Sequence, residues 1–187
     1  METILNREII VDKTICRIIN VSVFVILTSL GAFVRMPLPF TPIPITLQTL
    51  FVLLSGAILG SGLGALSQSI YLLLGGLGLP IFAGAGSGFV YLVGPTGGYL
   101  AGFVLAALFI GRFISKTKSI LSVFILFCLA DFIILTIGTL WLGFVFRYNA
   151  TRSILFGFLP FVLGDIFKAS VASFVYIRLR GRLKEIL

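Results

Sequence analysis

The chain has 187 residues, of which 59% are hydrophobic and 11% charged, against roughly 45–50% and 25% in soluble domains. Lys and Arg number 14, Asp and Glu 6, for a net charge of +8, and histidine is absent. These numbers exclude a soluble enzyme, a disordered chain, an imidazole metal site and a histidine base.

The apolar residues fall in blocks long enough to cross a bilayer, and six helices are predicted. Residues 1–17 form a polar tail that is not a cleaved signal, because a long apolar block follows and continues toward more of the same. Helix 1 covers residues 18–34 and ends at Arg35. The next stretch, MPLPFTPIP, places Pro37, Pro39, Pro42 and Pro44 where they remove four backbone donors, so it is extended or turned. Helix 2 starts at Ile45 or Thr46 and ends near Leu59; Gly60, Gly62 and Gly64 make a tight turn into helix 3 at residues 63–74. Both are short for independent spans and need tilt or re-entry. Residues 75–98 carry too many glycines for a helix, and Pro80 and Pro95 interrupt them. An ordered loop that covers a pocket, with a short helical piece, is expected there.

Helix 4 follows at residues 99–113 and helix 5 at 120–146, long enough to tilt or to unwind near Gly138 and Gly143. Helix 6 starts between Ile154 and Pro160 and reaches Ile177, before a short basic segment at 178–187. With six crossings, ten basic residues share one side: Arg7, Lys13 and Arg17, then Arg112, Lys116 and Lys118, then Arg178, Arg180, Arg182 and Lys184. Arg35, Arg147 and Arg152 lie on the other, and Lys168 lies inside helix 6. The asymmetry places both termini in the cytoplasm. The same flanking pattern reads as membrane anchoring and excludes nucleic acid as the partner of the positive charge. The whole chain reads as one transmembrane binding domain.

Chemistry concentrates at GDIFK. Asp165 and Lys168 are three residues apart and share a helix face, and ionised groups at membrane depth pair, face the bundle interior or meet a ligand. Lys168 offers an ammonium to a carboxylate; Asp165 offers an acceptor to N–H groups of a polar ring; an internal ion pair that fixes packing is the alternative. Asp131, in mid-helix 5, orients substrate, serves packing, or relays a proton. Gln48 and Gln68 are cavity candidates, since a buried amide needs partners, whereas the serines and threonines around them satisfy their own helices. The glycines from Gly84 to Gly88, including Gly86, sit beside Phe82 and either bring backbone to a ligand or form a lid without contact. Gly60/Gly64 and Gly98/Gly102 have the spacing of close helix packing. Trp141, Tyr91, Tyr99 and Tyr148 fit an interfacial belt, and Cys16 and Cys128 read as buried thiols. No GxxxxGK[ST] loop is present, so active pumping by this chain alone would need an ion gradient, and ATP-driven pumping would need another subunit.

The segments GAFVRMPLPFTPIPITLQTL, GALSQSIYLLLGGLGLPIFAG, GPTGGYLAGF and FLPFVLGDIFKA, spread from Gly31 to Lys168, resemble the biotin transporter BioY family. Its members are substrate-capture S components of energy-coupling factor transporters. The resemblance implies an all-α integral membrane protein with six transmembrane helices. It implies a multi-pass protein of the bacterial inner or plasma membrane that binds biotin from outside with no covalent cofactor. A scaffold transmembrane T subunit and a pair of cytoplasmic ATPase subunits would be its partners, with ATP bound on the latter. The family's carboxylate-and-lysine motif maps to Asp165 and Lys168, and its ligand cover to residues 36–44 and 80–88. Its Ala-x-x-x-Ala docking surface on helix 1 has only Thr28 and Ala32 as counterpart here. The competing readings are an ion-coupled secondary transporter of a small carboxylate-containing solute, with Asp131 or Asp165 titrating, and a purely structural scaffold.

Overall fold

A computed structural model describes the backbone of residues 2–186 and the side chains of residues 13–181. The fold is an all-α bundle. Helix α1 spans Glu2–Phe33, starting well before the expected residue 18, because no glycine or proline precedes Gly31. The expected polar tail is thus helical, and the side chains of Arg7, Arg182 and Lys184 lie outside the described residues.

After α1, the strands β1 (Arg35–Met36) and β2 (Ile45–Thr46) pair antiparallel, Arg35 opposite Thr46 and Met36 opposite Ile45. The four prolines occupy the loop between them, where no ladder donor is required. Helix α2 runs Gln48–Gly76, but Gly60 is non-helical at φ 79°, ψ 179°. The chain reverses there. Gln48 bonds to Tyr71 and Gln68 to Ser55, while a Cβ on Gly64 would lie 2.9 Å from Gly56 Cα. These pairs keep a nearly constant sum of residue numbers, the signature of antiparallel arms. In a straight helix, residues 48 and 71 would stand ~35 Å apart. The expected turn between helices 2 and 3 is therefore a single left-handed-region glycine.

The glycine-rich stretch that follows contains a bridge between Phe82 and Gly86 and the short helix α3 (Phe89–Val93). Helix α4 (Gly97–Phe113) and a 3-10 turn (Ile114–Lys116) lead to α5 (Ile120–Phe146). The start of α5 is fixed by a reciprocal pair of bonds between Ser119 and Ser122. It does not unwind at Gly138 or Gly143. Instead Gly98 and Gly102 let α4 approach it closely: a Cβ on Gly98 would stand 2.8 Å from Ile137 O, and one on Gly102 2.9 Å from Ile134 Cα. The last expected helix is two, α6 (Ala150–Gly157), capped by Asn149, and α7 (Leu159–Ile186). Pro160 lies in the first turn of α7, where its missing donor costs nothing.

Among the described residues, five helical segments are long and apolar enough to cross a membrane, counting α2 as one and α6 with α7 as one. Their outward faces are apolar, as at Ile26, Leu129 and Phe167. Cys16 is exposed and Cys128 half-buried, so neither is the buried thiol expected. At one end of the bundle Arg180 Nη1 donates to Thr117 O at 2.8 Å. The Gly60–Ser61 turn packs on Gly111 at the same end. The loop of the β ribbon meets α6, and the 77–96 loop meets α5, at the other: Thr41 Oγ1 donates to Phe156 O (2.8 Å) and Trp141 Nε1 to Gly94 O (2.9 Å).

Candidate functional site

Below the ribbon end, a cleft opens between α2, α4, α5 and α7. Its walls are largely apolar, including Ile43, Leu100, Phe103, Ile134 and Phe161, and its polar floor is Asp165, Lys168, Thr46, Gln48 and Thr49. A single turn of α7 brings the two charged groups together. Lys168 Nζ lies 2.6 Å from Asp165 Oδ1, with both side chains nearly buried at 9% and 8% exposure. Lys168 also donates to Thr46 O at 3.1 Å, and Thr49 Oγ1 lies 3.5 Å from Asp165 Oδ1. Both of these contacts of Asp165 fall on Oδ1. An ammonium has three donors and a carboxylate two acceptor oxygens, so the pair, which lines the cleft, keeps hydrogen-bonding capacity beyond these contacts.

The floor is wired to the covering loop. Thr46 Oγ1 donates to Gln48 Oε1 (3.1 Å), Gln48 Nε2 to Tyr71 Oη (2.6 Å), and Tyr71 Oη to Ile81 O (3.1 Å). Sequence reasoning named Gln48 but missed Tyr71, whose antiparallel register across the Gly60 turn emerges only when the arms pair. It also missed Tyr99, placed in an interfacial belt. Tyr99 lines the cleft, is buried, and donates to Gly157 O at 2.6 Å. Tyr91 likewise lines the cleft and donates to Ala83 O at 3.2 Å. Burial pushes its phenol above the ordinary range, and the Arg35 guanidinium draws it back.

The remaining candidates separate. Phe82 is fully buried, stacked on Tyr91 at 4.8 Å and edge-on to Tyr71 at 5.4 Å. It braces the loop from behind. Gly84 packs under Arg35, and Gly86 lines a shallower vestibule beside Arg35 and Tyr91. Ala83, between Phe82 and Gly84, reaches the cleft itself. Gln68 is fully buried elsewhere, donating to Ser55 Oγ (3.1 Å) and Ser67 Oγ (3.2 Å) inside the α2 hairpin. Asp131 is buried on α5 with both carboxylate oxygens unpartnered among the described residues. It stands one turn from Ile134 and Leu135, which line the cleft, and interacts electrostatically with Asp165 and Lys168. Thr28 and Ala32 are fully buried, Thr28 standing 3.4 Å from Gln68. Thr28 faces α2, and the exposed face of α1 carries Ile18, Val23, Ile26 and Leu30. Among the described residues no group of three or more His, Cys, Asp or Glu side chains could hold a metal ion.

Comparison with known proteins addresses the family and the fold. The BioY family model matches residues 6–185. A biotin transporter BioY of Thermotoga maritima is 39% identical over 164 residues, covering 88% of this chain and 95% of that one. A biotin transporter BioY of Rhizobium etli is 33% identical over 157 residues, covering 79% and 83%. Among solved structures, the S-component for biotin from an ECF-type ABC transporter superposes with a TM-score of 0.85 at 25% identity, over 91% of this chain and 93% of that one. With the family model spanning nearly the whole chain, the protein belongs to the BioY family.

Proposed function

We propose that the protein binds biotin in the cleft and is the substrate-specific subunit of an ATP-driven energy-coupling factor transporter. The observation that carries this reading is the Asp165–Lys168 pair on a polar floor beneath apolar walls. A ureido group presents N–H donors beside a carbonyl acceptor. Asp165 Oδ2 accepts one N–H, and the free Lys168 proton donates to the carbonyl. The apolar walls take the thioether ring and the aliphatic chain. Gln48 positions Thr46 and through it Lys168. Asp131 acts through the charge of the pair without touching ligand. Gly84, Gly86 and the 36–44 loop form the cover, and Phe82 and Gln68 support the walls from behind.

The relatives bearing the BioY name support the ligand, and the ECF-type neighbour supports a scaffold transmembrane subunit and two ATPase subunits as partners. The polarity of the bundle supports six crossings with both termini cytoplasmic. The α2 hairpin supplies two of them, and Arg112, Lys116, Lys118, Arg178 and Arg180 cluster at the end where α1 begins. The chain is a transport protein and binds its solute without covalent chemistry. The test is equilibrium binding to the purified chain in lipid nanodiscs. Biotin should bind tightly, and an analogue methylated on both ureido nitrogens should bind at least ~tenfold more weakly, since a hydrogen bond to a charged group is lost. Equal affinity for the two would refute the ureido assignment.

A further inference from the structure

The Asp165–Lys168 pair leaves one requirement of an acidic ligand unmet. Lys168 is already neutralised by Asp165 and held on Thr46 O, so the floor carries no spare positive charge for a carboxylate. Asp131 adds a further acid nearby. A cation is needed elsewhere, and the β ribbon supplies one. Arg35 pairs with Thr46 in antiparallel register, and directly opposed residues stand about 5 Å apart with side chains on the same face. Thr46 lines the cleft. Arg35 therefore leaves the ribbon on the cleft side, one strand away from the residue that holds Lys168. Its guanidinium lies over Gly84, at φ +76°, where any Cβ would meet Nη1. It also lines the vestibule with Pro44, Ala83, Tyr91 and Thr96, four residues that line the cleft too. The cleft and the vestibule thus share one wall. Between residues 13 and 184 the chain has two acids, Asp131 and Asp165, both inside the bundle. Arg35 has no acidic partner among the described residues.

Resting on the biotin reading, we propose that Arg35 is the carboxylate-recognising residue of the site: the ligand lies with its ureido ring on Asp165–Lys168 and its carboxylate under the Arg35 guanidinium at the mouth. Arg35 sets specificity for acidic over neutral ligands, and its exposure lets it attract the anion from solution. The glycine beneath it keeps the guanidinium low enough to close the mouth.

The test measures dissociation constants of biotin and its neutral primary amide for the full chain in nanodiscs, with Arg35→Gln and Arg35→Lys alongside. The unaltered chain should prefer the acid by at least roughly tenfold, the range of a charged hydrogen bond. Arg35→Gln should bring biotin down to the affinity of the amide while leaving the amide within about twofold of its original value. Arg35→Lys should retain part of the preference, which also shows that substitution at this position leaves the fold intact. The idea is overturned if the unaltered chain binds acid and amide alike, if Arg35→Gln keeps the preference, or if it weakens both ligands by the same factor. Failure of the unaltered chain to bind either molecule overturns the biotin reading itself.

Discussion

Removing one member of the Asp165–Lys168 pair should damage both the fold and the site, and a double substitution should separate the two effects. Both side chains are less than a tenth exposed, and breaking such a pair by losing one partner costs about 3–5 kcal/mol, because the survivor is left charged and unpaired. For a chain of this size each 1 kcal/mol moves the melting temperature by about 2–4 °C, so Lys168→Met should lower it by on the order of 10 °C. Asp165→Asn should cost less, since Asp131 remains within electrostatic reach of Lys168, whereas Lys168→Met leaves two electrostatically interacting acids without that cation. In Asp165→Asn/Lys168→Met the pair is gone and no new orphan charge is made at these positions. Its stability should exceed that of Lys168→Met and recover most of the loss. Biotin binding should not recover. Each of the three variants should bind ~10–150-fold more weakly, the equivalent of about 1.5–3 kcal/mol for a charged hydrogen bond. Thermal unfolding in detergent and biotin titration read the two quantities independently. Strictly additive destabilisation in the double variant would refute the pairing argument, and unaltered biotin affinity would refute the role in recognition.

Three other expectations are open to direct measurement. A side chain on Gly56 would place Cβ 2.6 Å from Ala107 O, so Gly56→Ala should destabilise the bundle by about 1–3 kcal/mol in thermal unfolding, as overpacking does. Cysteines introduced at Leu38 or Ala85 should react more slowly with a soluble thiol reagent when biotin is bound; unchanged rates at both would exclude a cover made by these loops. Reconstituted alone, the chain should bind biotin without hydrolysing ATP, and accumulation should appear only with scaffold and ATPase subunits. Accumulation by the lone chain under a proton or sodium gradient would instead favour ion coupling through Asp131 or Asp165.

Much of this architecture is visible in residue order because its causes are local. Glycines and prolines mark Gly60, the ribbon loop and the 77–96 cover, and the uninterrupted apolar run of α5 fixes both of its ends. Asp165 and Lys168 stand out because their spacing forces them onto one helix face and burial makes them costly. Contacts between distant segments are not written that way. Gln48 and Gln68 look alike in sequence, each an amide in an apolar helix, yet one faces the cleft and the other the hairpin interior. The difference is the register set by the Gly60 reversal. Thr28 and Ala32 carry a close-packing spacing that says nothing about which neighbour they pack against, and that neighbour is α2 of the same chain. Arg35 is one of three basic residues on the sparse side by charge counting alone. Only its pairing with Thr46 places it beside a residue that lines the cleft.

That same pairing ties the polar floor of the cleft to Arg35 mechanically. Thr46 is held from three directions: its carbonyl by Lys168, its hydroxyl by Gln48, and its backbone ladder by Arg35. Gln48 in turn reaches Ile81 in the covering loop through Tyr71. A group that engages Asp165 and Lys168 therefore acts on the strand that carries Arg35 and on the loop that lies beneath it. Order imposed at the floor reduces what remains to be ordered at the mouth, so a ligand reaching both should bind more tightly than its halves would suggest. The apolar walls alone cannot discriminate among small hydrophobic solutes by more than a few kcal/mol. Selectivity has to come from polar groups at fixed separation, and on the proposed reading of Arg35 the ribbon is the element that fixes it.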